Sequence, residues 1–333
     1  MKRLIRIVAV SLGSLLILAV AAVFVSTLAL SYRFDRENRQ LVQSISEKLA
    51  PVVIRSPQPV WDTDLRPYGF PEDSFDSPYV AYTAPTTVAV SDSLAAVTFR
   101  KSHYVDKKLV VDGHLITVSL ATGSITASTQ WPGPIAVGPY VHCCTGDKEF
   151  YGYADSYLSI RNGEVVDKRT TSPVGPSTQK VKVSLGTNER PSLVEVVHEN
   201  GSKSTFQTDC GNVGNSFLSK DAFVIIGCSK VSVIGADGHL FFSDDFSGAG
   251  LQFGGASKNG KRFVLAVSAS HGGDPPYLTD EWLVVYDAER HAPVFAVKSD
   301  PLPYMQSQSA LSADGNYLLA GSGGHLKLLR ILK

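Results

Sequence analysis

One strand-like run returns along most of this chain, and its spacing restricts the fold more than any other feature. LITVSLATG from Leu115, LSIRNGEVV from Leu158, LVEVVHENG from Leu193, VSVIGADGHL from Val231, LVVYDAERHAPV from Leu283 and LKLLRIL from Leu326 recur at intervals of 43, 35, 38, 52 and 43 residues. A second run precedes four of them: SDSLAAVTF from Ser91, LSKDAFVIIG from Leu218, ASKNGKRFVLAV from Ala256 and LSADGNYLLAG from Leu311. Each of these is a polar turn feeding an apolar strand. Asp112-Gly113, Asn162-Gly163, Asn200-Gly201, Asp237-Gly238, Asn259-Gly260 and Asp314-Gly315 sit between such runs, and dipeptides of this kind supply the positive φ of tight hairpins. No stretch after Pro51 keeps a helical period over ten residues. Units of ~40 to 45 residues with four short strands each predict an all-β domain of radially stacked sheets. Stacking on both faces also accounts for runs such as FVLAV and FVIIG, which lack polar alternation. A β-sandwich or barrel is the competing expectation.

The units LSADGNYLLAG with LKLLRIL, and SKNGKRFVLAV with WLVVYDAERHAPVFAV, resemble blades of the WD40-like and YVTN-type β-propeller superfamily. Those repeats carry S-x-D-G before the second strand and a D-x-x-x-(G/H) turn after the third. The resemblance spans residues 79–333 and implies a β-propeller of about six four-stranded blades. It implies no activity, because propellers share a fold and not a chemistry.

Ahead of the repeats, Ile7–Leu30 runs for 24 residues without a charge. A helix rising ~1.5 Å per residue would carry such a run across a ~30 Å hydrocarbon core. Lys2, Arg3 and Arg6 precede it. An uncleaved signal-anchor over residues 1–30 is preferred to a signal peptide cut after Ala21, since cutting would leave the apolar terminus AVFVSTLAL. Leu41, Ile45 and Leu49 then fall at helical spacing before Pro51, which predicts a short amphipathic stalk over 31–50. Residues 51–78 are rich in proline and in Asp62, Asp64, Glu72, Asp73 and Asp76, and read as an acidic linker to the β domain at 79–333. The charge density of MKRLIR places the N-terminus inside and the β domain outside the cytoplasm, where disulfides persist.

Lys plus Arg and Asp plus Glu each total 31, so no net field recruits nucleic acid. Cys143, Cys144, Cys210 and Cys228 allow three pairings, and no C-x-x-C is present. The eight His residues stand singly, and His114, His239 and His325 read as turn-exposed rings. H-E-x-x-H, G-x-S-x-G, a P-loop and a dinucleotide fingerprint are all missing from the sequence. The expectation is therefore no cofactor, no metal and no catalytic residue set. The expected partners are the membrane, through residues 7–30, and a protein or small polar ligand.

Two insertions supply candidate binding residues. RKSHYVDKK lies between the second and third strands of the first unit, and SASHGGDPPYLTDEW lies at the same place in the fifth. Equivalent loops of a propeller emerge on one face, so Arg100, Lys101, His103, Tyr104, Lys107 and Lys108 would share a surface with His271, Asp274, Tyr277, Asp280, Glu281 and Trp282. The expected function is a membrane-anchored binding or scaffold module using that face. The alternative is an enzyme, such as a hydrolase, lyase or quinone-dependent dehydrogenase, with a site in the central channel. Finally, the C-terminal strand Leu326–Leu332 needs a cover. An early segment, either Tyr79–Ala84 or the stretch around Val60, is expected to pair with it.

Overall fold

The computed structural model describes residues 2–70, 85–131, 135, 139–146, 149–153, 156–170, 180–184, 191–197, 201–208, 214–219, 222–235, 237–271, 277–299 and 306–331. A single helix, α1 (Lys2–Leu49), runs unbroken through the apolar segment and the stalk and stops just before Pro51. Among the described residues no helix is long and apolar enough to cross a membrane, so the spanning segment expected over Ile7–Leu30 gains no support here. Of its described side chains, Val20, Val23, Phe24, Val25, Leu28 and Leu30 are exposed.

The far end of α1 is docked. Ile45 and Leu49 are buried together with Val231, Val233, Phe263, Leu265, Val267 and Trp282, and Leu41 and Val42 pack at the margin. Asn38 bonds Thr279 at 3.0 Å, and Lys48 pairs with Asp244. The row of apolar residues at helical spacing is thus a wedge driven into the β domain. After the helix, Val53 makes a parallel bridge to Ala296. The chain then enters β1 (Pro59–Asp64) and a 3-10 turn at Arg66–Tyr68.

The remaining strands form antiparallel sheets in chain order. β2 (Pro85–Val90), β3 (Leu94–Val105), β4 (Lys108–Ser119) and β5 (Ile125–Gln130) make the first. β6 (Tyr140–Gly146), β7 (Glu149–Tyr153), β8 (Tyr157–Arg161) and β9 (Glu164–Arg169) make the second. The third has β10 (Lys180–Ser184), β11 (Ser192–Val197) and β12 (Lys203–Thr208), and the fourth has β13 (Gly214–Phe217), β14 (Ala222–Gly227), β15 (Lys230–Gly235) and β16 (Leu240–Asp245). β17 (Gly250–Ala256), β18 (Arg262–His271), β19 (Tyr277–Asp287) and β20 (Ala292–Ser299) make the fifth. The sixth is β21 (Gln308–Leu311), β22 (Tyr317–Ser322) and β23 (His325–Arg330), completed by β1 from the other end of the chain.

That completion settles which segment covers the C-terminal strand. It is the stretch around Val60, with Trp61 opposite Leu328 and Asp64 opposite His325. β1 also ties the sixth sheet to the first. Trp61 Nε1 donates to the Leu120 carbonyl at 2.8 Å, and Thr63 Oγ1 donates to that of Gly123 at 2.7 Å. Gly123 sits at φ +73°, and a Cβ there would meet the Trp61 ring at 2.7 Å. Only glycine satisfies both the left-handed turn and that close approach.

The S-x-(D/N)-G turns explain how successive sheets lock. At Ser312 the hydroxyl donates to Asp314 Oδ1 at 2.6 Å and accepts the Tyr317 N–H at 3.0 Å, while Asn316 N–H bonds Asp314 at 2.9 Å. Ser257, Asn259 and Arg262 repeat the pattern in the fifth sheet, at 2.7 and 3.0 Å. Burial opposes ionisation of Asp314, but the hydrogen bonds from Ser312 and Asn316 outweigh it and hold its carboxyl below the usual range. Each turn leans on the one before: Arg262 Nη1 donates to the Gly315 carbonyl at 2.8 Å, and a Cβ on Gly260 would meet the Leu218 carbonyl at 2.9 Å. One glycine dipeptide is not a turn. Asp112-Gly113 lies inside β4, where a Cβ on Gly113 would collide with Trp131 at 2.7 Å. The hairpin turns instead at Asp106 and Lys107, both at positive φ.

Candidate functional site

The two predicted insertions turn out to be extended hairpins rather than loops. Arg100 pairs with Gly113, Lys101 with Asp112, and Tyr104 with Leu109, so β3 and β4 remain paired out to Val105 and Lys108. At the tip, Tyr104 is 69% exposed and Val105 47%. His103 is placed as a strand residue opposite Val110. In the fifth sheet His271 pairs with Tyr277, which is exposed at the hairpin end, and Asp274 lies outside the described residues. Asp280 pairs with Lys298 at 2.5 Å, and the Lys298 ammonium lies 5.7 Å from the Trp282 ring centroid. Glu281 and Trp282 are not on a surface at all, with exposures of 0% and 3%.

The reason is register. Along β19, Trp282, Val284 and Tyr286 point toward the fourth sheet and α1, while Leu283 and Val285 point toward the sixth. By the period of two, Glu281 belongs to the second row. Facing it, Leu329 on β23 and Ile331 just past its end pack in the same core, and Lys327 and His325 continue that row. The apolar contact between the two sheets therefore gives way at one end to charged residues on both sides. A cleft of about 470 Å³ opens there, lined by Leu283, Val297, Ser299, Ser307, His325 and Lys327, among others.

Glu281 is the rear anchor of this cleft. Its carboxylate accepts the Ser299 hydroxyl at 2.6 Å and the Ser307 N–H at 3.0 and 3.1 Å. Burial pushes its pKa up, and the hydrogen bonds from Ser299 and Ser307 offset this only in part. At the mouth, His325 Nδ1 lies 2.9 Å from Asp62 Oδ1 and Lys327 lies 3.5 Å from Asp62 Oδ2. Arg66 reaches His325 Nε2 at 3.4 Å. A guanidinium can only donate, so Nε2 accepts and Nδ1–H donates to Asp62. Arg66 also holds Asp64 by its side chain and N–H, drawing that carboxyl down to about 2.

The sequence pattern places Glu281 and Asp280 in a loop and His325 in an isolated turn, and it does not bring Ser299, Ser307, Asp62 and Lys327 together. The available signal was the row Glu281, Leu283, Val285, which places a carboxylate on an inward-facing stripe. Cys143 and Cys144 form a vicinal disulfide and Cys228 is also disulfide-bonded, while Cys210 lies outside the described residues. Among the described residues, no group of three His, Cys, Asp or Glu side chains is placed to hold a metal ion.

Buried apolar clusters join the sixth sheet to the first, the first to the second, the third to the fourth, the fourth to the fifth and the fifth to the sixth. Sheets in chain order, stacked at these five junctions and with the last completed by the first strand, have the arrangement of blades in a wheel. The chain folds as successive antiparallel sheets in the manner of a β-propeller. No protein-family model matches it, and neither does any curated protein. Among solved structures, the propeller is similar to the C-terminal WD40 domain of Sif2, at 9% identity and a TM-score of 0.43, over 84% of this chain and 99% of that one. It is similar to the Neurospora crassa Pan2 WD40 domain at 11% identity and 0.37, over 84% and 98%. For a chain of the mitotic checkpoint complex the values are 11% and 0.34, over 84% and 97%.

Proposed function

We propose that this protein is a six-bladed propeller tethered to a membrane by its N-terminal helix, and that it acts outside the cytoplasm as a non-catalytic binding or scaffold module. The observation that carries the binding reading is the first-sheet hairpin. Twelve-residue strands hold its tip, and that tip offers an exposed Tyr104 beside Asp106, Lys107 and Lys108, with Arg100 and Lys101 farther down the same hairpin. An exposed aromatic on a hairpin with an excess of basic residues suits an acidic protein surface. The tether is supported by the charge-free run Ile7–Leu30 behind Lys2, Arg3 and Arg6. Because α1 continues without a break into its docked end, the tether would fix the propeller's tilt instead of leaving it on a loose leash.

Affinity capture of the full chain from detergent extracts tests the binding reading. Tyr104→Ala combined with Lys101→Glu should remove at least one specific partner seen with the unaltered protein. An unchanged capture profile would take the hairpin out of consideration. Retention of the protein in the pellet after alkaline carbonate extraction tests the tether, and release into the supernatant would overturn it.

A further inference from the structure

We propose that the cleft between the fifth and sixth sheets is a binding site for a small ligand bearing an ammonium group, with Ser299 and Ser307 as the acceptors that receive it. The argument is independent of the hairpin and begins with charge. Around the cleft, Lys298 is matched by Asp280, Lys327 by Asp62, and Arg66 by Asp64. His325 is engaged by Asp62 and Arg66 as above. Glu281 remains, fully buried, and among the described residues no Lys, Arg or His side chain pairs with it. A buried carboxylate without a counter-ion is costly, and a cation in the adjoining cavity would supply what the fold omits.

Hydrogen-bond polarity gives the same answer. Ser299 spends its only hydroxyl proton on Glu281. Its contact with Ser307 Oγ at 2.6 Å must then be donated by Ser307. The Ser307 N–H also points at Glu281. These protons are all spent among the two serines and the carboxylate, so the hydroxyl oxygens keep lone pairs for the cavity. A hydroxyl-to-carboxylate relay of this kind transmits the buried charge to the surface of the cleft. It favours a ligand that donates hydrogen bonds and carries positive charge, and it disfavours a carboxylate or phosphate. Leu283, Val297, Ala320 and Leu329 line an apolar part of the cavity, alongside the ion-paired Lys298 and Lys327, which suits an alkyl or aryl body on the amine. The volume of about 470 Å³ lies in the range of ~300–1,000 Å³ usual for small-molecule sites.

The test is a ¹⁹F NMR titration of the full chain in detergent with 4-fluorobenzylamine, 4-fluorobenzyl alcohol and 4-fluorobenzoate at neutral pH. The amine should bind at least about tenfold more tightly than the alcohol, and the benzoate least well. Glu281→Gln should reduce the amine's affinity by about tenfold and leave the alcohol nearly unchanged. Ser322→Trp, at the turn lining the mouth, should exclude all three probes while leaving Glu281 untouched, which keeps the proposal testable should the buried variant fold poorly. Benzoate binding as well as the amine, amine affinity indifferent to both substitutions, or no binding of the amine at millimolar concentration would each overturn it.

Discussion

In the fifth sheet, β19 buries alternate side chains toward the fourth and sixth sheets alike, and Phe263, Leu265, Val284 and Val285 are all without solvent exposure. In the third sheet, β11 buries Val194 and Val196 toward the fourth sheet, and β12 alternates exposed with half-buried residues along its whole length. Among the described residues no apolar cluster joins the second sheet to the third. The same repeat therefore gives a sheet clamped on two faces in one place and on one face in another. The fifth and sixth sheets, clamped on both faces, have strands that read as continuous apolar runs and turns that carry S-x-(D/N)-G. In β11 and β12 buried or half-buried positions alternate with less buried ones, and the turn signature fades. Regularity in the sequence follows from how many faces must be buried.

If the wheel depends on its closing seam as the clamped sheets suggest, Trp61→Ala should have the largest effect. Its ring fills the contact between β1 and the turn at Gly123 and donates to Leu120. Losing a buried Trp of this kind costs ~3–5 kcal/mol, visible in urea unfolding as a lower midpoint at an unchanged slope. A midpoint within error of the unaltered protein would mean that the two chain ends do not close the ring.

Leu49→Ala comes next. Leu49 has no solvent exposure and lies in the core shared by the fourth and fifth sheets, so the expected loss is ~2–5 kcal/mol. Its counterpart in the one-faced sheet is Phe206→Ala, where the ring is only partly buried against the third–fourth cluster and the loss should be no more than about 1–2 kcal/mol. Equal losses would erase the contrast between the two sheets. Hydrogen exchange should rank them in the same order, with amides of β10–β12 opening before those of β18 and β19.

Much of this architecture was legible in the residues. The recurrence of L-x-(V/I) runs, the glycine turns and the spacing of Leu41, Ile45 and Leu49 each state a local preference that the packing respects. The closing strand was named as one of two possibilities, and Pro59–Asp64 is the one that pairs. The cleft was not legible in the same way. It arises where Glu281, on β19, comes to face Lys327 and His325, on β23, and no local pattern encodes which rows meet across two sheets. Asp112-Gly113 misleads for a related reason: its glycine serves the ring of Trp131 and not a turn.

The smallest expected effect concerns Glu281, whose position on the clamped sheet should give the wild-type protein a stability cost that the one-faced sheet does not carry. Burial raises its folded-state pKa above that of the unfolded chain, where a Glu titrates near ~4.3. The folded state then holds the proton more tightly. Stability contributed by this group is present below the unfolded pKa and is lost as pH rises through the folded value. Asp64 and Asp314, with lowered values, act in the opposite sense, so the comparison must be between variant and wild type at each pH. Glu281→Gln keeps the shape and an acceptor for the Ser307 N–H, and the Ser299 hydroxyl can rotate to suit. Relative to wild type, the variant should gain stability as pH is raised from 4 to 7, read from urea midpoints at matched ionic strength. A difference that stays flat across that range would show that the carboxylate is not strained by its burial, and a difference of opposite sign would show that an unrecognised cation already compensates it.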